Sequence, residues 1–209
     1  MGNNIFIRGK ETKYTLSFSV YGHFYTKMIR DESFKKDKKS VLKEYKEIIK
    51  RAKDIAPSNN PLIGSYALGA IFIAMNRKHD NNPDNNLKLL ENGFRYTPWV
   101  RRFLGSGNGY FDEKRMVARR EWSRRTKERK YENDWVVDII EKNGKYEMGY
   151  DYLECGVCKL CKDEGCFNLA KYLCKLDYLL VDVIGIGLDR TTTLAEGGDK
   201  CDFRFYSKS

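Results

Sequence analysis

The segment "DWVVDIIEKNGKYEMGYDYLEC", residues 134–155, is where the chain changes its period. Trp135, Val136 and Val137, then Ile139 and Ile140, make an apolar run. After Asn143 and Gly144, the residues Tyr146, Met148, Tyr150 and Tyr152 fall on every second position. A period of two puts one set of side chains on one face of a strand. Asn-Gly between two such runs accepts the positive φ of a type I′ turn, so the segment predicts a hairpin whose second strand ends at Cys155.

Downstream, "CFNLAKYLCKLDYLLVDVIG" (166–185) repeats Leu169, Tyr172, Leu173, Leu176, Leu179, Leu180 and Val183 at i, i+3 and i+4, the pattern of an amphipathic helix. "LDRTTTLA" (188–195) reads as a β-branched strand, "EGGDK" as a turn and "CDFRFY" (201–206) as a final strand. The C-terminal part is therefore expected to be an antiparallel β-β-α-β-β unit.

Upstream the period is helical. "SFSVYGHFYTKMIRD" (17–31) sets Phe18, Tyr21, Tyr25 and Met28 at helical spacing, although Leu16, Phe18 and Val20 alternate. "SVLKEYKEIIKRAKDI" (40–55) gives Val41, Leu42, Tyr45, Ile48, Ile49 and Ala52 one apolar face, with Ser40 as N-cap. "PLIGSYALGAIFIAM" (61–75) is apolar all round, but too short for the roughly 20 residues a membrane span takes, so a buried core helix is expected. A short helix over 85–91 should stop at Gly93. "TPWVRRFLG" (97–105) offers Thr97 as cap, Pro98 at the first helical position and Gly105 as stop. The fold class expected is α+β, a helical N-terminal two thirds packed on the C-terminal antiparallel unit. The chain of 209 residues reads as a single domain, 1–130 mainly helical and 131–209 carrying the sheet, one helix and all six cysteines.

With 41% hydrophobic and 33% charged residues, the composition is that of a soluble globular protein. The N-terminal "MGNNIFIRGKETK" lacks the apolar run of a signal peptide, and a cytoplasmic location is expected. Net charge is +10, unevenly spread: residues 1–149 hold 31 Lys/Arg against 19 Asp/Glu, and residues 150–209 hold 8 against 10. Nine of the basic side chains crowd into 112–130, "DEKRMVARREWSRRTKERK", beside four acidic ones. Such a helix suits a phosphate backbone or an acidic partner, but no nucleic-acid-binding motif accompanies it, and a solvated helix face is the favoured reading. No G-x-S-x-G elbow exists, and "GSGNG" (105–109) lacks the strand and the Lys of a phosphate loop.

Four cysteines fall in "CGVCKLCKDEGC" (155–166), spaced C-x2-C-x2-C-x4-C; Cys174 and Cys201 follow. In a reducing compartment such clusters are more often metal-binding or catalytic than disulfide-bonded. Cys155, Cys158 and Cys161 reproduce the start of the ferredoxin run C-x2-C-x2-C-x3-C-P, but the next cysteine comes at x4 and Phe167 stands where Pro would follow. Zinc or an iron–sulfur cluster on Cys155, Cys158, Cys161 and Cys166 is thus an alternative; otherwise these are small hydrophobes at a strand-to-helix corner, and no cofactor is expected. Only two histidines exist. His79 is expected to be exposed in its Asn-rich turn, and His23 to be partly buried with a backbone partner.

The tail, "YLCKLDYLLVDVIGIGLDRTTTLAEGGDKCDFRF", resembles the L-2-amino-thiazoline-4-carboxylic acid hydrolase family. The likeness rests on Cys174 with Asp177, Arg190–Thr191 with Thr193, the "AEGG" turn at 195–198, and Cys201–Asp202–Phe203, with Cys155 or Cys158 as the cysteine ahead of the last helix. A fainter likeness links the tail to the four-vinyl reductase type of small-ligand-binding domain. The resemblance implies a small-molecule substrate, a cyclic amidine whose ring carbon is attacked by water and whose C–S bond then breaks. Such chemistry needs a carboxylate for the amidinium, a base or thiolate, and a cation for the substrate carboxylate. On the matching positions, Asp177 or Asp202 would pair the amidinium, Cys174 or Cys201 would attack, and Arg190 would clamp the carboxylate. Thr191, Thr193, Gly197, Gly198 and Cys155 would complete the substrate site.

Overall fold

The structure is a computed structural model and describes residues 16–56, 60–105, 107 and 109–208. The N-terminal stretch read for a signal peptide lies outside the described residues, as do Ser106 and Asn108 of the glycine-rich connection. Eight α-helices and four strands follow in the order α1 (Leu16–Met28), α2 (Glu32–Arg51), α3 (Ile63–Lys78), α4 (Pro83–Tyr96), α5 (Pro98–Leu104), α6 (Glu113–Thr126), β1 (Val136–Glu141), β2 (Met148–Glu154), α7 (Gly156–Asp163), α8 (Ala170–Ile184), β3 (Ile186–Asp189) and β4 (Cys201–Ser207). This is the α+β arrangement expected. Among the described residues no helix is long and apolar enough to cross a membrane.

The sheet is antiparallel throughout, in the order β1-β2-β4-β3. Register explains its two faces. Tyr152 stands opposite Cys201, Tyr150 opposite Phe203 and Met148 opposite Phe205, with Val137 and Ile139 continuing the row on β1 and Leu188 on β3. These side chains form one apolar face, where aromatic rings meet edge-on: Tyr152 with Phe203 at 5.0 Å and Tyr150 with Phe205 at 5.7 Å between centroids. The opposite face is polar, and there Asp151 takes Arg204 at 2.8 Å and Lys200 beside it. The hairpin forms where expected, but Asn143 and Gly144 are not a two-residue turn. Pairing stops at Glu141 and Met148, and the longer connection between them is shaped by Gly144 at φ +86° and by the Asn143 side chain accepting from the Lys145 amide.

Buried helix α3 is the centre of the helical part, with Tyr66 to Met75 enclosed on all sides. The apolar face of α2 packs as its spacing requires, through Val41, Tyr45, Ile48 and Ile49. Its start is earlier than expected. Asp31, not Ser40, is the N-cap, accepting from the Ser33 and Phe34 amides at 2.8 and 3.3 Å, while the Ser40 hydroxyl donates to the Asp37 carbonyl inside the helix. Helix α4 likewise begins earlier, capped by Asn82, and runs through Gly93. Gly93 is there for proximity: a Cβ would stand 2.9 Å from Met28 Cγ and 3.3 Å from the Met28 carbonyl of α1. Thr97 does not cap α5 with its side chain; its hydroxyl donates to Met28 O.

Helix α6 lies along β1. The Ser123 hydroxyl donates to Val137 O at 2.6 Å and the Val137 amide donates to Thr126 Oγ1 at 3.1 Å, so the outer edge of β1 is partly closed by side chains. Many of its basic groups are paired: Arg120 with Glu113 and Glu141, Arg124 with Glu121 and Glu128, Lys127 with Asp138 and Arg129 with Glu154.

Two further expectations fail in the C-terminal unit. Strand β3 is Ile186–Asp189, and "RTTT" leaves the sheet before a 3-10 turn at Leu194–Glu196. The cysteine run, read as a strand-to-helix corner, is a helix in its own right, α7.

Candidate functional site

Strand β2 ends by delivering Cys155 as the N-cap residue of α7, in extended conformation. C-x2-C places Cys158 almost one turn further on, at the same end of the helix as Cys155. The other two cysteines of the run pair at the opposite end of the helix. Gly165, at φ +67°, closes α7 in a Schellman motif, with the Cys166 amide on Cys161 O at 2.8 Å and the Gly165 amide on Lys162 O at 3.0 Å. This motif brings its third-from-last helical residue against the second residue past the cap, and here those are Cys161 and Cys166. The run is thus two pairs, and among the described residues no three His, Cys, Asp or Glu side chains stand together as metal ligands.

Helix α8 presents Leu173, Cys174, Leu176, Asp177 and Leu180 to the same region, the i, i+3, i+4, i+7 stripe of one helix face. Arg190, just beyond β3, reaches back to it. Its Nη1 donates to Asp177 Oδ2 at 2.7 Å and its Nη2 to the Cys174 carbonyl at 3.0 Å, while the guanidinium lies 5.0 Å from the ring centroids of Phe203 and Tyr178. From the first turn of β4, Cys201 accepts the Leu194 amide on its sulfur at 3.2 Å.

These side chains surround one cavity of about 90 Å³. Cys155, Cys158, Cys174, Asp177, Arg190 and Cys201 supply its polar wall with Ser65; Leu62, Leu68, Trp135 and Tyr152 are among its apolar ones. For scale, an engineered apolar cavity of about 150 Å³ takes benzene. The space is of small-molecule scale.

The enclosure acts differently on each ionisable group. Burial pushes the Asp177 carboxyl up to about 6, against the pull of Arg190. Burial likewise raises the Cys201 thiol to about 12, opposed by the Leu194 amide, and raises Cys174, which also faces the Asp177 charge. Cys155 moves the other way. The Cys158 thiol donates to it, and the Cys158 and Val157 amides at the start of α7 add to the effect, outweighing burial.

Of the residues expected in the site from sequence, Cys155, Cys174, Asp177, Arg190 and Cys201 line the cavity. The others do not. Asp202 follows Cys201 on a strand and so faces the opposite way. It accepts the Thr191 and Thr192 amides at 2.9 and 2.7 Å and the Thr191 hydroxyl at 2.6 Å, which hold its carboxyl below the usual range despite some desolvation. The Thr193 hydroxyl donates to Glu196 at 2.8 Å and the Gly198 amide to Thr193 O at 2.9 Å. A Cβ on Gly198 would meet Thr192 Oγ1 at 1.9 Å. Thr191, Thr193, Gly197 and Gly198 thus build the turn that sets Arg190 and Cys201. Phe203 and Trp135 gave no chemical signal in the sequence, yet one carries the Arg190 guanidinium and the other walls the cavity.

His23 is exposed, its Nδ1 at 2.8 Å from Ser19 O, and it does not line the cavity. His79 is largely enclosed instead of exposed, with Nδ1 2.8 Å from Asp37 Oδ2 and the ring edge-on to Phe34.

No curated protein and no solved structure matches the chain. The family model described as L-2-amino-thiazoline-4-carboxylic acid hydrolase does, over residues 62–205, from the first cavity residue of the helical part to the middle of β4. That span exceeds half of the chain and holds every cavity-lining residue, and the chain belongs to the L-2-amino-thiazoline-4-carboxylic acid hydrolase family.

Proposed function

We propose that this chain hydrolyses a small cyclic amidine of the 2-amino-thiazoline-4-carboxylate type, with Asp177 as the base that activates water. The observation carrying the reading is a single carboxylate with a pKa near 6, in a small, largely apolar cavity, oriented through one oxygen by Arg190. A base poised near the working pH is the most effective one. Asp177 takes a proton from water as its oxygen attacks ring carbon 2, and the C–N π electrons move to nitrogen. Collapse of the adduct breaks the C–S bond, the departing sulfur takes the proton back from Asp177, and the hydroxyl proton passes to the ring nitrogen as the carbonyl forms. Water is thereby added across the bond, the ring opens, and a carbamoyl derivative of a free thiol results.

Thiolate attack by Cys174 or Cys201 fits the site less well, since burial holds both as neutral thiols. Arg190 acts here as a positioning residue, because two of its donors are committed to Asp177 and to the Cys174 carbonyl. No metal or cofactor enters the scheme.

The test is direct. Purified protein incubated with 2-amino-thiazoline-4-carboxylate should release a thiol at a rate proportional to enzyme, and Asp177→Asn should slow release by about 10²-fold or more. A wild-type protein that binds this compound without opening it would leave a ligand-binding module as the surviving reading. Unchanged turnover in Asp177→Asn would remove Asp177 as the base.

A further inference from the structure

The pairing of Cys155 with Cys158 is not used by the hydrolysis scheme. Cys158 lines the cavity beside Cys155, the N-cap residue of the same helix. The residues are three apart, at the junction of a strand and a helix. On helix geometry, Cα atoms three residues apart stand about 5 Å from each other, within the roughly 4.4–6.8 Å that a disulfide accepts, so bond formation demands little backbone movement. The cavity beside them admits only a small reagent. We propose that Cys155 and Cys158 form a peroxide-reactive dithiol, Cys155 attacking hydrogen peroxide and Cys158 resolving the product to a disulfide.

In the first step the Cys155 thiolate attacks one peroxide oxygen, the O–O bond breaks, and the hydroxide released is protonated to water. Cys155 then carries S–OH. In the second step the Cys158 sulfur attacks the Cys155 sulfur, the S–O bond breaks, and a second hydroxide leaves as water. Two thiols lose two electrons and two protons in all, and one peroxide becomes two waters. The roles follow from position. Cys155 is the half-buried member, at the N-cap of α7; Cys158 is the enclosed one. Thiolate character on Cys155 is favoured by the neighbouring Cys158 thiol and by the α7 amides.

The proposal stands apart from hydrolysis, since its readout is covalent mass and not turnover. Reduced full-length protein is treated with a slight excess of hydrogen peroxide, alkylated and mapped by mass spectrometry. The wild type should lose two of its six titratable thiols, with a Cys155–Cys158 cross-link. Cys158→Ala should instead accumulate a sulfenic acid at Cys155, trapped by dimedone, and Cys155→Ser should leave Cys158 reduced. Wild-type protein that keeps six thiols, or that forms only a Cys161–Cys166 bond, overturns the assignment even if neither variant folds.

Discussion

Asp177 is held between two opposing influences, enclosure that favours its neutral form and the Arg190 guanidinium that favours its charge. Enclosure wins, and the direction of the pH effect follows. A base works only when ionised, so kcat/KM for the thiazoline should rise as pH rises through about 6 and flatten above it, measured by thiol release in overlapping buffers. Arg190→Met removes the opposing influence. That acidic limb should then move to higher pH and turnover should fall, whereas Arg190→Lys should shift it less; an unmoved limb would show that Arg190 does not act through Asp177. At this scale the sequence was readable in part. Cys174, Asp177, Arg190 and Cys201 stand out as reactive types at recognisable spacing, but Asp202 looks just as reactive and is turned away by the alternation of β4. Residue type carries chemistry; which way a side chain points depends on register.

At the level of elements, apolar periodicity located α1, α2 and α8, and capping chemistry decided the ends that periodicity left open. Helix α2 begins at Asp31 and α4 at Asn82, each ahead of the first repeating apolar residue, because a side-chain acceptor there meets two free amides. Asn82→Ala should therefore lower unfolding free energy by about 1 kcal/mol, read from urea denaturation, with little effect on the cavity. The cysteine run shows the opposite case. Its spacing allowed a metal loop or a strand-to-helix corner; the chain makes of it a separate helix, with Cys155 and Cys158 at its start and Cys161 and Cys166 at its end. No spacing rule contains that result, because the Schellman turn at Gly165 is what brings Cys166 back to Cys161. That end of α7 is further held by Glu164, which takes Arg51 of α2 and Arg77 of α3, each at 2.6 Å. Threonine-rich "RTTT" misled for a related reason: β-branched residues favour strands, but here Asp202 draws the Thr191 and Thr192 amides into a turn.

Across the whole molecule, the helical part and the sheet meet at the cavity, whose walls come from α3, α7, α8 and β4 together. The sheet's outer edge on β1 is held by α6, and that contact includes two hydrogen bonds to one residue, Val137. Ser123→Ala leaves the buried Val137 carbonyl without that donor and should cost about 1–3 kcal/mol in thermal or urea unfolding. The order β1-β2-β4-β3 has one more consequence, and it concerns folding. The last strand of the four in chain order stands between two that precede it. Until β4 is in place, β2 and β3 each present bare amides and carbonyls on the side it fills, and Cys201, a wall of the cavity, is not yet positioned. The folding chain must therefore carry two unmatched strand edges until β4 slides in between them, an interval in which it is exposed to pairing with a neighbour.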